Sequence, residues 1–155
     1  MKETPQETKI QHNLQAGILT IDGFLGKDTR HFHEIIKADS RALIELEITQ
    51  QQIADRMEYF TTEAFENYDG AVMIDDIYRV EYRSVRGKII CPFGHSGVFR
   101  KGEIILYNQF KKLTVSWTPL SIHMIREHCF FEGKGSKYRL EPAELKAALY
   151  DEDQG

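Results

Sequence analysis

Apolar residues recur at helical spacing from Lys27 to about Glu66, and past Gly70 they fall at every second position in runs of Val, Ile, Tyr and Phe. That change of period from 3.6 to 2 predicts helices first and strands second. In the first helix Phe32, Ile35 and Ile36 share a face that Leu43, Ile44 and Leu46 extend. Asp28 or Thr29 is its expected cap, with a break near Asp39-Ser40. A second helix is expected from Thr49, where Gln52 three residues later completes a capping-box pattern, with Ile53, Ala54, Met57 and Phe60 as its apolar face. It fades near Glu66-Asn67, and Asp69-Gly70 is a turn signal.

The later runs are Ala71 to Ile74, Tyr78 to Val85, Lys88 to Ile90, Val98 to Tyr107 and Leu113 to Trp117, separated by Gly, Asp and Asn. Tyr78, Val80 and Tyr82 alternate with Arg79, Glu81 and Arg83, the pattern of a strand with one buried and one wet face. Thr118 and Pro119 open a helix reaching about Cys129, Gly133 to Ser136 forms a loop, and Glu141-Pro142 opens a last helix with Leu145 and Leu149 on one face. Upstream, the Gly-flanked run Gly17 to Gly26 predicts a strand leading into a turn. The resulting fold class is α+β, an antiparallel sheet flanked by helices. Residues 1–13, polar and interrupted by Pro5, are expected as a loose arm. Residues 14–150 form a single globular domain, and 151–155 an acidic tail.

Composition narrows the class. A chain of 155 residues, 41% hydrophobic and 28% charged, suits one soluble domain, and no apolar run approaches the ~20 residues that span a bilayer. The polar, acidic start lacks the features of an export signal, so a cytoplasmic protein without membrane association is expected. Two cysteines in a reducing compartment favour metal ligation or thiolate chemistry over a disulfide. A net charge of -4 argues against nucleic acid as a partner.

The residues with definite chemistry are Cys91 and His95, framing Pro92-Phe93-Gly94, and His123 and His128 on the helix after Thr118. Zinc takes four N or S ligands in a tetrahedron, commonly as two close pairs, one on a turn and one on a helix. On an ideal helix His123 and His128 lie ~140° apart, so sharing a metal requires the helix to end or distort between them. Glu127 and Cys129 are the substitutes if His128 cannot reach. Without a metal the same residues read as a small buried thiol, a turn histidine and two partly buried helical histidines.

The stretch from Cys91 to His128 resembles a stretched Cys2His2 ββα zinc finger: a Cys-bearing turn, strands, then a helix with two histidines. It differs in its first pair, Cys-x3-His, in the length between the pairs, and in having no tandem repeat. The resemblance implies a zinc-finger-like turn-hairpin-helix segment within residues 91–128 and zinc as the cofactor.

Other motifs fail on inspection. Gly94-His95-Ser96-Gly97-Val98 lacks the second Gly of a nucleophile elbow, and His123 to His128 has one residue too many for His-x-x-Glu-His. Thr49 to Met57 looks like the start of a helix-turn-helix, but no turn follows, so an amphipathic core helix is the simpler reading. Lys134, Lys137 and Arg139 with Phe130, Phe131 and Tyr138 read mainly as a solvated face. The expected function is a zinc-stabilised binding module for a protein or small ligand, with its surface beside Arg100, Lys134 and Arg139. A metal-dependent hydrolase with Cys91, His95 and His123 as ligands and Glu127 as general base is the alternative, and a nucleic-acid-binding regulator the third.

Overall fold

The capping box expected at Thr49 is formed, the Thr49 side chain accepting from the Gln52 N–H and the Gln52 side chain from the Thr49 N–H. The helix it starts, Gln50–Phe65, runs without interruption and buries Ile53, Ala54, Met57 and Phe60. In the computed structural model, which describes residues 3–67 and 70–150, the chain runs through five helices and four strands. They are α1 (Pro5–Asn13), α2 (Phe32–Glu45), α3 (Gln50–Phe65), β1 (Ala71–Ile74), β2 (Tyr78–Ile90), β3 (Val98–Asn108), β4 (Leu113–Trp117), α4 (Pro119–His128) and α5 (Pro142–Leu149). Asp69 of the expected turn and the acidic tail 151–155 lie outside the described residues. No helix among those described is long and apolar enough to cross a membrane.

The strands form one antiparallel sheet in the order β1-β2-β3-β4, the expected meander in an α+β fold. Two predicted runs, Tyr78 to Val85 and Lys88 to Ile90, prove to be one long strand whose register shifts between Ser84 and Lys88. Gly87, at φ 105°, lies within that shift, where an irregular backbone needs a residue without a Cβ.

Two hydrophobic clusters divide the interior. The larger joins α3, the sheet and α5 around Phe60, Tyr78, Val80, Leu106, Trp117 and Leu145. The smaller gathers Leu14, Phe24, Phe32, Ile35, Cys91 and Phe93. Helix α4 serves both, giving Ile122 and Ile125 to the first and Leu120 and Met124 to the second.

Five expectations need correction. The stretch from Gly17 to Gly26 is a series of turns with no strand. Its backbone bonds elsewhere: Phe24 N–H donates to Leu14 O, Gly133 N–H to Phe24 O, and Lys27 N–H to Lys134 O. A Cβ on Gly26 would lie 2.2 Å from Ser136 N, and one on Gly133 2.3 Å from Leu25 O, so these glycines permit two loops to lace together. Residues 1–13, expected as a loose arm, contain α1, because Thr4 and Glu7 make a capping box and Pro5 opens the helix. Helix α2 begins at Phe32, capped by His31 in place of Asp28 or Thr29, since the Asp28 carboxylate is engaged by Arg30. It does not break at Asp39, whose carboxylate is paired with Arg139. That pairing also removes Arg139 from the expected surface, as Phe130 and Phe131 are removed by burial in the core.

Glu132 is buried with a positive φ of 68° and accepts a hydrogen bond from Ser136 Oγ. Burial raises its pKa from 4.5 to about 7, against the lowering effects of Ser136 and Arg139. An acid whose folded pKa is raised keeps its proton longer when folded, so its cost is absent below about 4.5 and complete above about 7. Stability should therefore fall by about 3 kcal/mol through this window on account of Glu132. Glu132→Gln is expected to flatten that fall, as read by urea unfolding at acid and alkaline pH; an unchanged pH profile would refute the assignment.

Candidate metal centre

Cys91 follows β2 directly and opens a turn in which Gly94 N–H donates to Cys91 O over 3.2 Å, with Gly94 at φ 87°. The thiol is 1% exposed and accepts from the Phe93 N–H. Across the turn, the Phe93 ring stacks on His128, with centroids 4.1 Å apart and planes at 10°. Asn13 at the end of α1 donates from Nδ2 to Pro92 O at 3.1 Å, so α1 fastens the turn from outside.

Helix α4 supplies the opposite wall. Thr118 caps it in a reciprocal capping box with Ser121, and Pro119 fixes its first turn. It stops at His128 because Cys129 adopts the left-handed conformation, φ 51° and ψ 38°. The helix thus runs through both histidines and neither ends nor distorts between them as the spacing led one to expect, yet their rings lie 5.5 Å apart, brought together by the side chains.

The outcome is a group of three. Ligand atoms of Cys91, His123 and His128 all lie within 4.8 Å of one another, so this group can hold a metal ion. Cys91 Sγ lies 3.7 Å from His128 Nε2, close to the roughly 3.5 Å between donors on a tetrahedral zinc. His123 Nε2 is buried and has no hydrogen-bond partner among the described residues. A buried ring nitrogen left in this state is costly unless something coordinates it. His95 stands at the rim, exposed, its ring 4.5 Å from that of His128 and 5.2 Å from that of His123.

Electrostatics favour the neutral imidazoles that metals require. Burial, with His95 nearby, lowers the pKa of His123, and burial together with His95 and His123 takes that of His128 down to about 4. Burial raises the pKa of Cys91, so without a metal the thiol keeps its proton.

The substitute ligands play no part in the group. Glu127 is exposed, and Cys129 Sγ lies 3.3 Å from Ser40 Oγ. Ser96, of the rejected elbow, is exposed too. Two contributors had no role in the sequence reading: Phe93, whose position between Cys91 and His95 was its only signal, and Asn13, which is 79 residues from Pro92 and gave none.

No protein-family model, curated protein or solved structure matches this chain. The likeness to a Cys2His2 finger therefore rests on the residues of the Cys91 to His128 stretch alone.

Proposed function

We propose that the protein is a zinc-stabilised binding module in which Cys91, His123 and His128 hold the ion and His95 closes the coordination sphere. The observation that carries this reading is the unpartnered, buried Nε2 of His123 beside a thiol and a second imidazole. One sulfur and several imidazole nitrogens suit zinc among common divalent metals. Bound there, the ion fastens the turn after β2 to the end of α4, a structural role.

A metal titration tests it. Both α4 histidines are neutral near pH 7, whereas Cys91 must lose its proton to bind. Uptake of one metal should therefore release about one proton, and affinity should rise roughly tenfold per pH unit between pH 6 and 8. Cobalt absorption and elemental analysis, on protein purified without a histidine tag, measure both. Cys91→Ser and His123→Ala should each abolish uptake. A native protein that takes up no metal, or one indifferent to both substitutions, sinks the reading.

Three close ligands with an exposed fourth candidate is also the pattern of a catalytic zinc, which keeps one position for water. On that reading the module is a metal-dependent hydrolase with Glu127 as general base. His95→Ala separates the two: a structural site changes its cobalt spectrum, and a site already holding water does not.

A further inference from the structure

The sheet is four strands wide at one end only. β1 covers Ala71 to Ile74 against Tyr78 to Glu81, and β4 pairs with Ile104 to Asn108, so beyond Arg83 and Glu103 the hairpin continues as a two-stranded ribbon. One face of the ribbon carries the cross-strand pair Ile89 and Phe99, both packed against the smaller cluster. On its other face Lys88 lies opposite Arg100 and Ile90 opposite Val98, and all four are exposed.

That outer face is unfavourable in water. Like charges directly across an antiparallel pair repel, and among the described residues neither Lys88 nor Arg100 has an ion-pair partner. Beside them Ile90 and Val98 are 49% and 58% exposed. Charge is also segregated along the chain: residues 82–102 hold five Lys and Arg and no Asp or Glu, although acidic residues outnumber basic ones 24 to 20 overall. A partner that is anionic, with apolar spots between its charges, relieves both costs.

We propose that this face binds duplex DNA, with the ribbon in the major groove, Lys88, Arg100 and the exposed Arg86 of the adjoining register shift on phosphates, and Ile90 and Val98 toward the base edges. The major groove admits a two-stranded ribbon and presents thymine methyl groups to apolar side chains. A-form RNA has a major groove too narrow for it, and Lys88, Ile90, Val98 and Arg100 include no aromatic ring on which single-stranded bases could stack. Net charge pointed away from nucleic acid because it averages over the whole chain and hides this acid-free basic stretch. The inference names a partner for the binding module proposed above and rests on that reading for the tethering of the ribbon by metal.

Fluorescence anisotropy of a labelled, mixed-sequence DNA duplex tests it on the full chain. Three phosphate contacts predict a log–log salt slope near -2.7, or roughly 40-fold weaker binding at 200 mM than at 50 mM salt. The double substitution Lys88→Gln with Arg100→Gln should bring that ratio down to about 4-fold, and Arg86→Gln alone should reduce the slope by about 0.9. No binding at low salt, slopes unchanged by these substitutions, or equal binding of the single strand or of duplex RNA overturns the proposal. So does preferential binding to phosphatidylserine vesicles. Zinc content measured on the same samples keeps the two readings apart: zinc retained without DNA binding removes this inference only, and DNA binding without zinc removes the metal reading only.

Discussion

Replacing Asp39 by alanine is expected to cost about 3–5 kcal/mol of stability, the usual penalty for breaking a buried ion pair from one side. Asp39 lies in mid-helix on α2 and Arg139 on the loop before α5, each side chain only 7% exposed. Arg139 Nη1 and Nη2 donate to the two Asp39 oxygens at 2.6 and 2.9 Å. Nη1 also donates to Glu132 O, while Nε and Nη2 reach Glu141. All five N–H donors of the guanidinium are thereby satisfied, and with Asp39 gone two of them and much of the charge lose their partner. The magnitude comes from the uncompensated arginine, because the pair itself need not stabilise relative to an apolar replacement. Urea unfolding should show a lower midpoint at unchanged slope. A loss below about 1 kcal/mol would mean that water reaches this pair, since exposed pairs contribute about that much or less.

Removing an ion bound at the candidate centre should have an effect of similar size. An ion that binds only the folded chain, present at a thousandfold its dissociation constant, stabilises by about 4 kcal/mol. In a domain of this length that corresponds to a melting temperature roughly 8–16 °C higher. Chelation should lower the transition of the native protein by that amount, and Cys91→Ser should melt at the lower temperature with or without chelator. Helix α4 contributes buried residues to both clusters and couples them, so the stripped protein should still unfold cooperatively. A melting curve indifferent to chelator in metal-loaded protein would remove the structural role.

What was legible in the sequence was whatever local chemistry determines. The capping boxes at Thr49 and Thr118, the alternation through Tyr82 and the Pro-opened helices were readable because partners three residues apart, or neighbours on one strand, decide them. The run from Gly17 to Gly26 was misread because its β-branched residues suggest a strand, while the groups that take its hydrogen bonds, at Leu14, Gly133 and Lys134, are set by tertiary packing. Asp39 was read as a possible helix break for the same reason, its partner being 100 residues away. In the candidate metal centre the residue types pointed to Cys91, His123 and His128, but their convergence depends on how the turn after β2 packs against α4 and on the side-chain conformations of two histidines five residues apart, neither of which local sequence determines. His31 and His33 stack at 5.1 Å and pair with Glu3, just before α1, and with Glu7 on α1, partners that only the unexpected helix brings within reach.

Helix α1 buries none of its own residues, yet it bonds through Asn13 to the turn that carries Cys91. Elements with little buried surface open first and most often. One support of the turn that carries Cys91 thus comes from an element with little buried surface, which separates how tightly an ion would be held from how quickly it could be exchanged. An ion bound there need not wait for global unfolding to leave, because opening of α1 alone loosens the turn on one side of it.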